Sequence, residues 1–346
     1  MKALSVIIPV YKTAHLLGRC LDSVVSQLTD DVEVVVVDDA SPDDAAAVAA
    51  RYAKDGVRYI RHAVNGGAAA AHNTGVAATQ GTYLLRLDSD DAFKPGAVAA
   101  ILALVEKHRP DILLHAFDRV DEQGRFLSRY DLVDEGLFRT DSATALFQVA
   151  FGCMTPNAVY RRAVAPDVRQ DSAYPVSEDR LYGWEFYKRA QTCFLTRQSL
   201  VNYYQYPQSL SHRVSDAGVR GLLELDTRFV TELMARPDFA HGAISALRRL
   251  FPGLVTWHAS LVFDEGRNNA ELVAAYFRAI HAILSAGGGR LAPLGYPLLA
   301  CAVRWKSRTL LRVYRVLFVG FLWKVRNRVM WCVRWMFEKR EKIRHG

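Results

Sequence analysis

Short apolar runs alternate with amphipathic stretches through the first 116 residues of the chain. LSVIIPV from Leu4, VEVVVVDD from Val32, VRYIRH from Val57, YLLRLDSDD from Tyr83 and DILLHA from Asp111 have the length and β-branched content of strands. Between them, His15 to Leu28, Asp43 to Lys54, Gly67 to Thr79 and Gly96 to His108 read as helices. In the first of these Leu17, Cys20, Leu21, Val24 and Leu28 fall on one stripe, as a helix packed on a core requires. The strands are continuous apolar runs, the pattern of parallel strands covered on both faces, so the alternation predicts a doubly wound, mostly parallel α/β sheet.

Ligands of open α/β sheets bind outside the carboxyl ends of the strands, and the polar residues of this chain collect there. Pro9-Val10-Tyr11 ends the first strand, Asp38-Asp39-Ala40-Ser41 the second and Asp88-Ser89-Asp90-Asp91 the fourth. Three acids this close repel one another, and a hard divalent cation, Mg²⁺ or Mn²⁺, would relieve them. The plainer reading is a solvated loop or helix cap, since Asp is favoured there and Pro95 marks a helix start just beyond. The pair Asp38-Asp39 has the same two readings, a helix cap or a carboxylate that accepts a hydrogen bond from a base or ribose. After the third strand, Asn65-Gly66-Gly67 lets the backbone approach a ligand closely, and His72-Asn73-Thr74-Gly75 follows. The first turn contains no GxGxxG and the chain no GxxxxGK[ST], which disfavours dinucleotide dehydrogenases and P-loop enzymes.

Charge changes the picture mainly at the C-terminal end. The net +8 divides into +11 for residues 293–346 and −3 for residues 1–292. A nucleic-acid partner is therefore not expected for the main body, and an anionic membrane surface becomes the expected partner of the tail. Four of the six tryptophans lie in that tail, and Arg304, Arg308, Arg312 and Arg315 fall on one helical face. From Arg304 on, its longest uncharged stretch, Val316 to Trp323, is eight residues, too short to span a bilayer but suited to an interfacial helix. The alternative is a helical layer packed on the core or on a second copy of the chain in a homo-oligomer. Five cysteines without a CxxC pair favour neither a disulfide framework nor a zinc site. Met1-Lys2 leads straight into a strand, so the expected location is cytoplasmic, peripherally attached to the inner face of a membrane.

Taken in order, SVIIPVY, VVDDAS, NGGAAAAHNTG and LDSDD resemble the family 2 glycosyltransferases of the GT-A fold over about residues 3–215. The resemblance implies an inverting transfer from a nucleotide-sugar donor with a divalent metal. It puts Pro9 and Tyr11 at the base pocket, with Asp39, or alternatively Asp38, accepting the uracil N–H. Asp88 and Ser89 would lie by the ribose, and Asn65, Gly67, His72 and Asn73 along the donor. Asp90, the last acid of the DxD motif, would bind the metal, with Asp91 supporting it and His212 completing the metal or diphosphate site. Ser177-Glu178-Asp179-Arg180 is similar to the family's acidic pair before an aromatic helix, which makes Asp179 the expected general base and Glu178 the second choice. An acidic helix N-terminus is the plainer account of that pair. The family usually carries Arg where this chain has His72, a change expected to weaken a base or phosphate contact and to make the donor pocket sensitive to pH.

The expected domains are a GT-A catalytic domain over 1–215, with nucleotide and acceptor halves meeting near residue 116, then a helical extension over 216–290 and the basic tail over 291–346. The expected reaction moves a sugar from a UDP-sugar to a glycan or lipid-linked acceptor in bacterial surface polysaccharide or lipopolysaccharide assembly. The segment Phe151 to Asn157 is expected to shape the acceptor pocket. Two rivals remain at this stage, a non-catalytic membrane-bound scaffold that binds nucleotide-sugars and a sugar nucleotidyltransferase. The second needs a basic, Gly-rich loop where the chain reads PVYKTA.

Overall fold

In the computed structural model of the chain, the described residues are 2–132, 134–142, 145, 157–174, 178–206, 215–235 and, further on, 271, 274–276, 278–280 and 282. The chain divides into two compact units, one of residues 1–225 with 238–243 and the other of 226–237 with 244–346. In the first unit the elements run β1 (Leu4–Val10), α1 (Ala14–Val25), β2 (Val32–Asp38), α2 (Ala45–Ala50), β3 (Val57–Arg61), α3 (Gly67–Ala78) and β4 (Tyr83–Arg86). They continue as β5 (Ala92–Phe93), α4 (Ala97–His108), β6 (Ile112–Val120), β7 (Phe126–Tyr130), β8 (Gly136–Arg139), β9 (Ala158–Arg161), α5 (Glu178–Tyr187) and β10 (Thr192–Tyr204). A further helix, α6, spans Asp216–Ala235. Every strand and helix expected in the first 116 residues forms, with ends shifted by a few residues. α2 stops early because Arg51 and Tyr52 turn into a 3-10 segment closed by Gly56 in the left-handed conformation at φ 86°.

All the strands join one sheet in the order β3-β2-β1-β4-β9-β6-β10-β5, with β7 beside β6 and β8 beside β10. β3, β2, β1 and β4 are mutually parallel, and β10 is parallel to β6. Antiparallel β9 separates β4 from β6. The doubly wound half is thus the N-terminal half, with an antiparallel seam joining it to the rest.

Two apolar layers hold the parallel half. Leu4, Val6, Ile8 and Val10 of β1 pack with Leu17, Cys20, Leu21 and Val24 of α1 on one face, while Ile7 packs with Ala71 and Val76 of α3 on the other. The approach of α3 to β1 is close enough to require glycine: a Cβ at Gly75 would stand 2.3 Å from Cγ2 of Ile7. The glycine of the NTG segment therefore serves helix–sheet packing. Because β1, β2 and β4 run parallel, Tyr11, Asp39 and Asp88 emerge together at one edge of the sheet.

Candidate functional site: three strand ends and an acidic helix start

The turns after β1 and β2 are tied to each other. The Asp39 N–H donates to the Val10 carbonyl at 2.9 Å, and the Lys12 N–H to the Ser41 hydroxyl at 3.3 Å. Each turn holds a non-glycine residue in the left-handed region, Lys12 at φ 57° and Ala40 at φ 58°. Such positions cost about 1–3 kcal/mol and persist where the surroundings over-determine them, which at a ligand edge is a mark of function. Pro9 is buried in β1, while Tyr11 stands 42% exposed at the rim.

The two acids after β2 divide their work. Asp38 is fully buried, accepting from the Ser41 N–H at 2.7 Å, from Nη1 of Arg61 at 2.9 Å and from the Tyr59 hydroxyl. Its oxygens are committed to the fold. Asp39 accepts from the N–H groups of Gly66 at 2.9 Å and Gly67 at 2.7 Å, and pairs with Nδ1 of His62 at 2.7 Å. It is therefore a cap, but of α3 rather than of the helix that follows it in sequence. A carboxylate has about four lone-pair sites, so these three partners leave one acceptor site on Asp39. Gly67, at φ 85°, and Asn65, whose side chain donates to the Asp39 carbonyl at 3.1 Å, complete this turn. His62 had no place in the sequence reading; its other nitrogen reaches the Thr74 hydroxyl at 2.9 Å, so it fastens the turn to α3.

The DxD turn is braced from three directions. The hydroxyls of Ser89 and Thr13 meet at 2.7 Å, and Oδ1 of Asp91 accepts the Tyr204 N–H at 2.9 Å, joining the turn to the end of β10. Arg19 on α1 donates to the Asp90 carbonyl and to the Tyr206 hydroxyl, both at 2.6 Å, while its guanidinium lies 3.5 Å from the centre of the Tyr204 ring. Burial, then the charge of Asp88, pushes the Asp90 carboxyl up to about 6. Burial, then Asp90 and Asp88, raises Asp91 as well, and its Oδ2 has no hydrogen-bond partner among the described residues. These are carboxylates in want of positive charge, the condition a divalent cation relieves. Among the described residues no group of three His, Cys, Asp or Glu side chains is gathered as a metal cage. One or two carboxylates are nonetheless enough for Mg²⁺ when substrate phosphates supply the other oxygens, so the donor set fits a cation that arrives with a diphosphate. His212 lies outside the described residues, as does Phe151 to Pro156 of the expected acceptor segment, whereas Asn157 is buried and its carbonyl accepts the His115 N–H at 3.1 Å.

The acidic helix start reaches the DxD turn through one side chain. Arg86, the last residue of β4, donates from Nε to Oδ1 of Asp88 at 2.8 Å and from Nη1 to Oε1 of Glu178 at 3.0 Å and to Oε1 of Gln170 at 3.2 Å. Arg86, His72, Gln170 and Asp179 line one small cavity with Tyr160 and Tyr182. Glu178 is raised by burial and by Asp179, with Arg86 acting against that shift. His72 is fully buried, its ring edge-on to Tyr182 at 5.0 Å, and desolvation, followed by the charges of Arg86 and Arg169, lowers it to about 3. With its charged form so disfavoured, His72 is not a group on which a pH-sensitive donor pocket would turn near neutral pH. Asn73 is held by the chain: its side chain donates to the Gln170 carbonyl and accepts the Gln170 N–H, each at 2.9 Å. A charged residue inside the otherwise apolar run YLLRL was the sequence signal for Arg86, since a buried cation must have partners.

The fold so built is the GT-A fold of glycosyltransferases. Residues 1–349 of S. aureus TarS, solved in complex with UDP-GlcNAc, match with a TM-score of 0.74 at 20% identity over 91% of this chain and 92% of that one. The same protein in complex with UDP matches with a TM-score of 0.72. The family model described as Glycosyl transferase family 2 matches residues 5–169. Among relatives, the uncharacterized glycosyltransferase EpsJ of Bacillus subtilis is 24% identical over 60% of this chain. The poly(ribitol-phosphate) beta-glucosyltransferase of Bacillus spizizenii is 31% identical over 42% of this chain. This chain spans 62% of the first and 25% of the second, less than two thirds of either.

Proposed function

We propose that the chain is an inverting, metal-dependent glycosyltransferase that moves a sugar from a UDP-sugar to a glycan or lipid-linked acceptor in the assembly of a bacterial surface polysaccharide. What carries this reading is the Arg86 bridge, which makes Asp88 of the DxD turn and Glu178 of the acidic helix start neighbours through one guanidinium. A donor site and a proton acceptor must share one pocket for a single displacement. The UDP-GlcNAc and UDP complexes of TarS support the choice of donor class. The expected catalytic domain, 1–215, extends beyond the family match of 5–169 and takes in the acidic helix start.

In this mechanism the uracil lies against Tyr11 and offers its N–H to the remaining site on Asp39, with Asp38 holding the turn beneath. Pro9, Asn65 and Gly67 shape the turn edges, Asp88 and Ser89 border the ribose, and His72 and Asn73 lie behind them as a neutral wall. Asp90 would hold the cation, with His212 completing its site, and a cation bound there would supply charge neutralisation to the departing diphosphate. Asp179 accepts the proton of the acceptor hydroxyl as that oxygen attacks the anomeric carbon from the face opposite UDP, inverting the centre. Glu178 is the weaker candidate because Arg86 occupies its Oε1.

Calorimetric titration of UDP into the purified chain, with and without Mn²⁺, tests the donor site. Metal-dependent binding that disappears in Asp90→Ala is the expected result, and absence of nucleotide binding under every condition would overturn the donor site. For the base, Asp179→Asn is expected to lower kcat by about 10²–10⁴-fold with UDP affinity retained. Full activity in that variant would remove Asp179 from the role.

The tail is proposed to lie on the cytoplasmic face of an anionic membrane. Among the described residues no helix is long and apolar enough to cross a bilayer. The tail itself, residues 291–346, lies outside the described residues, and its charge of +11 over 293–346 is what supports this part of the reading.

A further inference from the structure

We infer that Arg86 is a positioning residue of the transfer, a guanidinium that sets the donor-side acid Asp88 against the acidic pair Glu178-Asp179. The inference rests on the reading above, because it concerns the geometry of that reaction.

Arg86 stands where a strand residue would ordinarily be apolar. Tyr83, Leu84 and Leu85 before it and Leu87 after it are buried, and the Arg86 side chain itself is only 11% exposed. A cation in such a place is costly unless its donors are used. They are used on three separate pieces of chain: Asp88 beyond β4, Gln170 in the stretch after β9, and Glu178 at the first turn of α5. The planar fork of an arginine can hold several acceptors at fixed angles, which the point charge of a lysine cannot. Burial works against the charge on Arg86, and Asp88, Glu178 and Asp179 outweigh it, so the net shift is upward.

Position 72 leaves room for a guanidinium from β4. His72 and Arg86 line the same small cavity, and neither ring nitrogen of His72 has a hydrogen-bond partner among the described residues. The family resemblance puts an arginine at 72. Two guanidiniums in this enclosed space would repel, whereas a neutral imidazole beside Arg86 leaves one positive charge facing the acids. Gln170 links the two positions further: its side chain accepts from Arg86 while its backbone clasps Asn73, the neighbour of His72. Loosening Arg86 therefore frees the acidic helix start relative to the DxD turn without removing a group that touches the donor's base.

The test uses the full chain, UDP-GlcNAc and UDP-glucose with Mn²⁺ as probes, and three variants: Arg86→Lys, Arg86→Leu, and Arg86→Leu combined with His72→Arg. UDP release, UDP affinity by calorimetry and Tm are measured for each. A 1 Å misplacement of reacting groups can cost about 100-fold, so Arg86→Lys is expected to lower kcat about tenfold or more with UDP affinity within about threefold. The double variant is expected to recover about tenfold over Arg86→Leu, because the arginine returns from the other element into the space that the leucine vacates. A merely structural salt bridge would lower Tm and leave kcat alone. Arg86→Lys with kcat within about twofold of the parent overturns the proposal. So does a folded double variant no more active than a folded Arg86→Leu. If Arg86→Leu fails to fold, kcat of Arg86→Lys decides by itself. A parent chain that neither binds UDP nor releases it from either sugar nucleotide brings down the functional reading and this inference with it; an active parent with an indifferent Arg86 brings down the inference alone.

Discussion

Asp90 shows how a single carboxyl can report on the site. Its acid form persists up to about 6 because burial and the charge of Asp88 disfavour the anion. In the unfolded chain the same group titrates near the ordinary aspartate value, so between the two values the folded state binds the extra proton. The sign follows: this group favours the folded state at low pH, and its contribution is lost as pH rises toward 6. A cation that needs the anion must displace the proton below that point. Mn²⁺-dependent UDP affinity is therefore expected to weaken as pH falls from 7.5 to 5, by up to about tenfold per unit below 6, and the thermal shift produced by Mn²⁺ with UDP to shrink in parallel. Calorimetry and melting curves at pH 5, 6 and 7.5 check this, and an affinity that does not change with pH would count against an Asp90 ligand that must first lose a proton near 6. Of the acids here, Asp90 and Asp91 were recognisable as a charge cluster from sequence. That Asp38 is spent on Arg61 and Tyr59 was not, since those partners lie on the adjacent strand β3.

At the scale of elements, the contact between α3 and β1 sets where the NGG turn and Asp39 meet. Gly75→Ala places a methyl 2.3 Å from Cγ2 of Ile7, in a layer where Ile7 is fully buried. Overpacking of this kind costs about 1–3 kcal/mol, and the loss is expected in denaturant unfolding. Combining it with Ile7→Ala should destabilise less than the sum of the two changes, because the alanine opens the space that the new methyl needs. Donor affinity should fall with stability in Gly75→Ala, since Gly66 and Gly67 at the start of the same helix hold the Asp39 carboxylate. The periodicity of the chain located α3 and β1 correctly. The role of Gly75 as the point of closest approach depended on which face of α3 met the sheet, which spacing alone leaves open.

For the whole molecule, charge is the feature with reach. The main body, residues 1–292, is near neutral at −3 and the last 54 residues carry +11, so a membrane interaction would depend on the end of the chain and on salt. The full chain is expected to sediment with vesicles containing phosphatidylglycerol at low salt, to remain free of neutral phosphatidylcholine vesicles, and to be released as ionic strength rises. Changing Arg304, Arg308, Arg312 and Arg315 together to Glu should abolish the sedimentation. Equal binding of parent and variant would move the tail to the alternative, packing on protein.

The strand and helix succession of the first 116 residues, the layering of apolar faces and the gathering of polar residues at strand ends were determined by the sequence itself. Each follows from local periodicity and from the rule that parallel strands deliver their ends to one edge. The tertiary structure alone decided which partners those residues have. It inserted antiparallel β9 between β4 and β6, turned Asp39 into the cap of a helix 27 residues away, and brought Arg86 to Glu178 across 92 positions. The physical reason is that charge and hydrogen bonding are satisfied by neighbours in space. A buried guanidinium in an apolar strand announces a need for acceptors, and only the folded chain, by bringing the start of α5 and the Gln170 stretch to the end of β4, determines which acceptors meet it.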